Sequence, residues 1–497
     1  MSNHLYDALM APQVLSERCF VRQSGKPDLS FREFATLASR LANRLVEAGL
    51  LPGDRVVVQA PKTVEMVALY IATLQAGGVF LPLNTAYKRD ELAYFIADAT
   101  PRIVVCDGGR EIEVRAVAGD GHVLTLNSDG RGTLTDGIEG QPGHFDPVPR
   151  TKNDLAALLY TSGTTGRSKG AMLTHGNLLS NARALCDLWQ ITSSDTLIHA
   201  LPIFHTHGLF VALNTSLLAG VRLDFQTGFD LNAIFGAMHQ STMLMGVPTF
   251  YTRLLGDARL TKEATQKMRL FVSGSAPLLA ETHEAFTART GHRILERYGM
   301  TETNMITSNP FDGERRAGTV GHPIADIEVR LTNSETGKDV SQGEVGMIEV
   351  RGPNVFAGYW NMPEKTAAEL RESGFFITGD LGSLSADGYL SIVGRSKDLI
   401  ITGGYNVYPK EVEDVLNDIE GVVESAVFGV PDADFGEAII AAVVPKAGAA
   451  LDPKALALGV EEKLARFKHP RRYELIEALP RNTMGKVQKN LLRETYG

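Results

Sequence analysis

Apolar runs of strand length alternate with segments of helical periodicity from the N-terminus to about residue 310. This alternation restricts the chain to the α/β fold class, with a mostly parallel sheet. Three of the runs pass directly into segments rich in Gly, Ser and Thr, at residues 154–163, 268–278 and 293–302. Because ligands bind beyond the carboxyl ends of strands in open α/β sheets, these strand ends predict one shared binding site.

The pattern changes twice in the C-terminal third of the chain. From about residue 320, short alternating strands separated by Gly and Asp turns predict a small antiparallel sheet or β-barrel-like part. Further on, a helix over 408–421, two strand-like runs and a helix near 457–467 predict a compact α+β unit. We therefore predict a large N-terminal domain over 1–395 and a smaller C-terminal domain over 396–497.

Charge and cysteine content exclude several classes of protein. The 497 residues carry 49 Lys and Arg against 58 Asp and Glu, and this acidic balance argues against general nucleic-acid binding. The last 47 residues, 451–497, nevertheless hold ten Lys and Arg against six Asp and Glu, a net charge of +4. Three scattered cysteines, Cys19, Cys106 and Cys186, predict neither a disulfide framework nor a zinc site, and they fit the reducing cytoplasm.

One uncharged stretch, residues 66–87, is long enough to span a bilayer. Gly77, Gly78 and Pro82 interrupt it, however, and such residues end regular structure. We therefore predict a buried helix over about 64–76 and a short strand after it, without a membrane span.

Residues 160–170, YTSGTTGRSKG, place hydroxyls, glycines and a lysine directly after an apolar strand. Glycines let backbone N–H groups approach an anion, hydroxyls donate to phosphate oxygens, and lysine supplies positive charge. Lys169 is followed by Gly170, so the spacing differs from the P-loop of kinases and GTPases. The segment predicts a nucleotide phosphate site formed by Thr161, Ser162, Gly163, Thr164, Thr165, Gly166 and Lys169.

This loop resembles the signature of the acyl-adenylate-forming superfamily, which includes acyl-CoA synthetases, luciferases and peptide-synthetase adenylation domains. Ser168 stands where many members have proline before the Lys-Gly pair. The resemblance covers essentially the whole chain and implies an enzyme that uses ATP, Mg²⁺ and coenzyme A. It also implies that the smaller C-terminal domain is mobile and rotates between two half-reactions.

Two further motifs extend the resemblance in the N-terminal part. YGMTE, residues 298–302, implies that Thr301 contacts phosphate or carboxylate and that Glu302 helps to hold Mg²⁺, which prefers oxygen ligands. SGSAPL, residues 273–278, resembles the loop that lines the adenine base. The residues that this resemblance places around the base are Ser275, Ala276, Pro277 and Tyr298.

The C-terminal motifs carry the remaining implied roles. Asp380 in TGDL and Arg395 in GRSKD correspond to residues that grip the ribose hydroxyls in the family. PRNTMGK, residues 480–486, resembles the motif whose lysine reaches the reacting oxygens, which makes Lys486 the catalytic candidate. The resemblance also implies a hinge and a pantetheine-guiding loop, at Lys397, Gly403 and Gly404.

The residue before YGMTE lines the acyl pocket in related enzymes and is commonly small or uncharged, but here it is Arg297. A buried guanidinium is costly unless it is paired, and it fits a carboxylate bidentately. Arg297 therefore predicts a second carboxylate on the substrate, with pairing to Glu296 or another internal acid as the alternative. His207 matches a family histidine at the acyl pocket; a metal pair of His205 and His207 is the weaker interpretation.

Extended strings, including HALPIFHTHGLFV and ERYGMTETNM, resemble malonyl-CoA synthetases. They imply ATP-dependent ligation of malonate, and secondarily methylmalonate, to coenzyme A through an acyl-adenylate, with release of AMP and pyrophosphate. The alternatives are a medium-chain or aryl monocarboxylate ligase, an amino-acid adenylation protein and a non-catalytic nucleotide-binding protein. Arg297 argues against the first, and no pocket acid for a substrate ammonium is identified for the second.

Overall fold

The computed structural model describes residues 2–161, 168–402, 405–432, 434–449, 451–482 and 485–497. Contacts divide the chain into two compact units. The first comprises Met1–Ala317, His322–Glu328 and Val350–Phe376, and the second comprises Gly318–Gly321, Val329–Glu349 and Ile377–Gly497. These units group residues by contact, whereas the predicted boundary at 395/396 concerns which residues move, so that boundary stays a prediction.

The described helices follow the predicted alternation with strands. They are α1 His4–Met10, α2 Phe31–Glu47, α3 Val64–Gln75, α4 Arg89–Ala99, α5 Glu111–Arg115, α6 His175–Leu188, α7 Asn214–Ala219, α8 Leu231–Met238, α9 Pro248–Leu255, α10 Ala280–Thr290, α11 Pro363–Glu369, α12 Pro409–Asn417, α13 Pro453–Lys463 and α14 Lys489–Tyr496. A π-helix, His207–Leu213, directly precedes α7.

The described strands range from two residues in β2 and β15 to eleven in β22. They are β1 Cys19–Arg22, β2 Leu29–Ser30, β3 Arg55–Gln59, β4 Val79–Pro82, β5 Ile103–Cys106, β6 His122–Thr125, β7 Leu155–Thr161, β8 Lys169–Thr174, β9 Thr196–His199, β10 Arg222–Phe225, β11 Met243–Gly246, β12 Leu270–Ser273, β13 Leu295–Met300, β14 Asn304–Ser308, β15 His322–Pro323, β16 Glu328–Thr332, β17 Gly346–Arg351, β18 Phe376–Leu384, β19 Leu390–Arg395, β20 Ile400–Thr402, β21 Tyr405–Val407, β22 Val422–Asp432, β23 Gly436–Pro445 and β24 Arg472–Leu475.

Two sheets form the framework of the first unit. One has the strand order β15-β14-β13-β12-β11-β9-β10-β1-β2, and β1 and β9 to β13 pair in parallel along it. The other has the order β6-β5-β3-β4-β7-β8, parallel except for the last pair. The predicted mostly parallel α/β architecture is therefore confirmed.

The uncharged stretch folds as predicted. Thr63 caps α3 by accepting a hydrogen bond from the Met66 N–H at 3.1 Å. The helix ends at Gln75, and Gly77 has a φ of 75°, a conformation that favours glycine, before β4 begins. In the described part of the chain, no helix is long and apolar enough to cross a membrane.

The second unit contains most of a sheet with the order β16-β17-β18-β19 and a sheet built on β22 and β23. Successive residues of β22 point to opposite faces, so Val427 and Phe428 enter separate apolar clusters. Residues of α12 and α13 belong to the cluster of Val427, whereas Leu492 of α14 belongs to the other. This two-sided core gives the predicted α+β architecture.

Candidate active site

The predicted strand ends are distributed over both sheets of the first unit. β12 and β13 are parallel neighbours in one sheet, with Ser273 opposite Glu296. β12 ends at Ser273, whereas β13 continues to Met300 in antiparallel pairing with β14, so Gly274 and Arg297 lie side by side beyond the last residue pair of the two strands. The third run lies in β7 of the other sheet, where Thr161 pairs with Lys169 of β8. Ser162, Gly163, Thr164, Thr165 and Gly166 lie outside the described residues.

Arg297 is a buried cation, with only 3% of its surface exposed. Its Nε and Nη2 atoms have no hydrogen-bond partner, and no described carboxylate lies at ion-pair distance. Glu296, its neighbour in β13, instead accepts a hydrogen bond from the Leu278 N–H at 3.0 Å. Burial lowers the pKa of Arg297 to about 9, which still leaves it charged at pH 7.

Space for this guanidinium comes from Gly274. A Cβ atom at that position would lie 2.3 Å from Cζ of Arg297, far inside van der Waals contact. Glycine at 274 therefore makes room for the Arg297 guanidinium in this position, a role that the motif SGSAPL did not reveal. The next residue, Ser275, has a φ of 71°, which is uncommon for a residue with a side chain.

His207 lies beside the same loop, at the first position of the π-helix. Its Nδ1 is 3.4 Å from Oγ of Ser275, and its Nε2 has no partner. Burial and the nearby charge of Arg297 lower the pKa of His207 well below its ordinary value, so the imidazole is neutral. The structure thus brings together Arg297, His207 and Ser275.

His205 has the same charged neighbour as His207. Burial and the charge of Arg297 lower the pKa of His205 to about 4, so this ring is also neutral. Among the described residues, no group of three or more His, Cys, Asp or Glu could hold a metal ion. The His-x-His metal interpretation therefore gains no support from the arrangement.

Glu302 lies in the tight turn of the hairpin between β13 and β14. A Cβ at Gly299 would lie 2.0 Å from the Asn304 carbonyl oxygen, so only glycine fits where the strands approach. Asn304 adopts a φ of 50° and closes the turn. The hairpin leaves Glu302 4% exposed, and burial raises the pKa of its carboxyl group.

Tyr359 connects Glu302 to Lys169. Its hydroxyl oxygen lies 3.0 Å from Oε1 of Glu302 and 2.6 Å from Oε2 of Glu369, and its single proton can serve one of them at a time. Nζ of Lys169 is 3.3 Å from Oε2 of Glu369 and 4.3 Å from the centre of the Tyr359 ring. The lysine of the glycine-rich loop and the predicted Mg²⁺ ligand thus share one polar cluster.

Sequence reasoning missed Tyr359 and Glu369. Glu369 lies four residues after Lys365 and pairs with it at 2.7 Å, the spacing of an ordinary surface pair on a helix. Tyr359 is 190 residues from Lys169 along the chain. A tyrosine in the string GYW gives no sign of a contact at that separation.

The other predicted residues of this unit lie around the same loops. Ser275, Ala276, Tyr298 and Thr301 are half-buried, whereas Pro277 is exposed. Tyr298 lies in β13 opposite Thr307 of β14. These positions leave one side of the loop accessible, as a base-lining role would require.

Asp380 and Arg395 face each other in the second unit. They are register partners in β18 and β19, and Nε of Arg395 lies 2.8 Å from Oδ1 of Asp380. Asp380 is 4% exposed, so the charge pair is partly withdrawn from water. The predicted ribose-binding residues are therefore adjacent.

Lys486 lies within electrostatic range of this pair. Its backbone N–H donates to Oδ1 of Asn482 at 2.9 Å, which holds the turn before it. Although the side chain still contacts solvent, partial desolvation and the charge of Arg395 lower the pKa of Lys486 to about 8. A lysine with this pKa changes its charge near physiological pH.

Lys397 lies in a 3₁₀ turn, Ser396–Asp398, between β19 and β20. The side chain is exposed, and Asp398 beside it pairs with Arg493 at 2.9 Å. The turn is the connection where the sequence predicts a hinge. Gly403 and Gly404 of the predicted guiding loop lie outside the described residues.

Comparison with known proteins identifies the family. Residues 12–360 match the AMP-binding enzyme family, and residues 411–486 match the AMP-binding enzyme C-terminal domain. The chain is similar to the crystal structure of ATP-bound MatB from Rhodopseudomonas palustris, with 55% identity and a TM-score of 0.98 over 100% of this chain and 99% of that one.

Two curated relatives are similar over nearly the whole chain. A malonate–CoA ligase from Arabidopsis thaliana is 35% identical over 90% of this chain and 79% of its own length. A feruloyl-CoA synthase from Amycolatopsis is also 35% identical, over 99% of this chain and 97% of its own. The chain therefore belongs to the AMP-binding enzyme family, the acyl-adenylate-forming superfamily that its motifs indicate.

Proposed function

We propose that the protein ligates malonate, and secondarily methylmalonate, to coenzyme A in an ATP-dependent reaction. The observation that carries this proposal is the buried guanidinium of Arg297, whose Nε and Nη2 have no partner. Such a group fits the second carboxylate of a small dicarboxylic acid bidentately. The similarity to a malonate–CoA ligase and to MatB supports the same substrate class.

The first step is attack of one substrate carboxylate on the α-phosphorus of ATP, which forms malonyl-AMP and releases pyrophosphate. The carboxylate is already ionised at pH 7, so the reaction requires no general base. Its obstacle is repulsion between the anionic acid and the polyphosphate. Lys486 would offset this repulsion by placing positive charge at the reacting oxygens.

Arg297 and His207 would bind the carboxylate that does not react. A neutral His207 can donate a hydrogen bond from one ring nitrogen without adding charge to the pocket. Binding at this end would leave the other carboxylate oriented toward the nucleotide. The adenine would lie among Ser275, Ala276, Pro277 and Tyr298, and the ribose hydroxyls between Asp380 and Arg395.

Mg²⁺ fits the polar cluster around Glu302. The ion prefers oxygen ligands and is commonly held by one or two carboxylates together with nucleotide phosphates. Glu302 would supply the carboxylate, while Lys169, Thr301 and the loop residues 161–166 would contact the phosphates. When bound, Mg²⁺ would neutralise developing charge on the phosphate oxygens.

In the second step, the thiol of coenzyme A attacks the acyl-adenylate and releases AMP. We propose that rotation about Lys397 replaces Lys486 with the guiding loop that contains Gly403 and Gly404. Domain 396–497 would be the moving part and 1–395 the fixed one.

The cysteines Cys19, Cys106 and Cys186 are free, which supports a cytoplasmic location for these reactions.

A monocarboxylate ligase is the second candidate, because a feruloyl-CoA synthase and the malonate–CoA ligase are each 35% identical to this chain. The two functions differ in the residue that they require at position 297: a dicarboxylate needs a cation there, whereas a monocarboxylate does not. An aryl or aliphatic acid would leave its guanidinium buried without a partner, at a cost of several kcal/mol.

A substrate panel separates these candidates. ATP- and CoA-dependent formation of AMP would be measured with malonate, methylmalonate, acetate, hexanoate and coumarate at equal concentrations. We expect the highest kcat/KM with malonate and the second highest with methylmalonate. A preference for hexanoate or coumarate would contradict the dicarboxylate proposal.

A further inference from the structure

His207 is held by a π-helix, a rare element that occurs mostly as single turns at functional sites. Its second residue, Gly208, is tightly packed, because a Cβ there would lie 2.0 Å from the Pro202 carbonyl oxygen. Because Gly208 follows His207 directly, a group that holds the Gly208 carbonyl restrains the backbone beside His207.

The Gly208 carbonyl oxygen lies 2.9 Å from Nε2 of His199, the last residue of β9. Since a carbonyl oxygen only accepts, Nε2 must carry a proton. Burial and a neighbouring cation lower the pKa of His199 to about 3, so the ring is neutral. The protein thus fixes one tautomer of His199, in which Nδ1 is an acceptor.

The neighbouring cation is Lys62. Its Nζ lies 2.9 Å from Nδ1 of His199, 2.8 Å from the His199 carbonyl oxygen and 2.6 Å from the Gln226 carbonyl oxygen. Three ammonium protons thus have three acceptors. Desolvation lowers the pKa of Lys62, whereas these acceptors favour its charged form.

Lys62 is itself fixed by secondary structure. It directly precedes Thr63, the N-cap of α3, and its Nζ lies 4.6 Å from the centre of the Phe225 ring at the end of β10. A chain of contacts therefore runs from α3 through Lys62 and His199 to the start of the π-helix. Each contact is short, and every polar atom along it has a defined role as donor or acceptor.

We propose that Lys62 is a positioning residue that sets acid selectivity through His199 and Gly208. Lys62 would orient the His199 ring, which would hold the Gly208 peptide and so aim the unpartnered Nε2 of His207 at the substrate. This inference rests on the proposed function, because it names the residues that hold His207, the proposed acid-binding group. The added residues, Lys62 and His199, do not touch the reacting atoms.

The first test is Lys62→Met, which is one atom shorter than lysine, keeps the apolar stem and removes the donors. We expect the ratio of kcat/KM for malonate to that for acetate to fall at least about tenfold, because small misplacements of binding groups have effects of this size or larger. The loss should appear in KM for malonate, with KM for ATP unchanged.

Gln75→Met is the matched control at the opposite end of α3. Gln75 is buried, and its Nε2 donates to the Phe145 carbonyl oxygen at 2.8 Å and to Oγ of Ser39 at 3.2 Å. This variant should lower the melting temperature without changing acid selectivity. An equal change of selectivity in both variants would overturn the proposal, because it would indicate a general effect of destabilising α3.

Paired variants of His199 test the path even if Lys62→Met fails to fold. The amide nitrogen of His199→Gln can replace Nε2 as donor to Gly208, whereas the shorter side chain of His199→Asn cannot. We expect His199→Gln to keep most of the malonate preference and His199→Asn to lose it. Equal selectivity in the two variants would contradict a path through Gly208.

The wild-type panel separates this inference from the proposed function. If the wild type prefers hexanoate or coumarate, the proposed function fails, and the variants are then compared on that monocarboxylate against acetate. If the wild type prefers malonate but Lys62→Met keeps the wild-type ratio, only the positioning role is wrong.

Discussion

At the scale of single residues, Arg297 should decide which acid the enzyme accepts. Arg297→Ala removes the proposed partner of the second carboxylate and should lower kcat/KM for malonate by about 30-fold or more, since loss of one member of a buried charge pair costs about 2–5 kcal/mol. Activity with acetate should change far less. Steady-state kinetics with both acids would measure the difference.

A matched control for this change is Arg293→Ala. Arg293 is exposed and lies just before β13, so its loss should leave the malonate-to-acetate ratio unchanged. A similar fall of the malonate-to-acetate ratio in both variants would show that selectivity responds to any loss of positive charge in this region, not to the loss of a substrate contact.

Lys486 is expected to act in only one half-reaction. Lys486→Ala should slow adenylation by a factor of about 10² to 10³, the cost of removing one preorganised donor in other enzymes. Conversion of supplied malonyl-AMP to malonyl-CoA should continue at near the wild-type rate. Pyrophosphate release would measure adenylation, and thioester formation would measure the second half-reaction. Near-normal pyrophosphate release by Lys486→Ala would rule out a role of Lys486 in adenylation.

The lowered pKa of Lys486 gives this role a pH signature. The charged form, which the role requires, predominates below pH 8 and is lost as the pH rises through the pKa of about 8. We therefore expect kcat/KM for ATP in the adenylation half-reaction to decline above about pH 8. Lys486→Arg keeps its charge and should lack this decline. If the variant shows the same pH profile as the wild type, the group that titrates is not Lys486.

At the scale of elements, the 3₁₀ turn Ser396–Asp398 is the proposed hinge. Lys397→Pro fixes φ near −65° and should restrict rotation there. We expect one half-reaction to slow by more than about tenfold, or about 1.4 kcal/mol, while the other is largely kept. Separate assays of pyrophosphate release and thioester formation would measure the two effects.

Lys397→Ala controls for loss of the lysine side chain without restricting φ. It should affect both half-reactions less than the proline variant does. Equal loss of both half-reactions in Lys397→Pro would argue against a hinge at this turn.

Some elements follow from the sequence more directly than others. The helix α3 was predicted to within a residue, because a pair of glycines marks its end. The π-helix His207–Leu213 was not, because an apolar run carries no periodicity that distinguishes i→i+5 from i→i+4 hydrogen bonds. The support of His207 by His199 was therefore invisible before the structure.

At the scale of the whole molecule, ligand binding should raise the stability of the protein through Mg²⁺. ATP with Mg²⁺ at 100 times its Kd should stabilise the folded state by about 2.7 kcal/mol. Adding EDTA should remove most of this gain, and Glu302→Gln should reduce it at the same ligand concentration. The melting temperature of the wild type and of Glu302→Gln would be measured with ATP and Mg²⁺ and with ATP and EDTA. An equal rise of the melting temperature with ATP in Mg²⁺ and in EDTA would contradict a metal role for Glu302.

The overall architecture could be predicted because the strand-end motifs are local in sequence. The polar cluster around Tyr359 could not, because it joins residues of β8, the β13–β14 hairpin and α11. The alternating strands after residue 320 predicted the small sheet that includes part of Val329–Glu349, but not the grouping of this segment by contact with C-terminal residues. Composition and periodicity report which segments form elements, whereas pairing depends on contacts made only after folding.

The close approach of Gly274 to Arg297 has a consequence for how such a pocket can evolve. While arginine occupies position 297 in this conformation, a side chain at 274 would force its guanidinium to move. Replacing the arginine with a small residue would remove that collision and free position 274 to vary. Acid preference therefore couples the two positions, and a selection library should randomise 297 and 274 together.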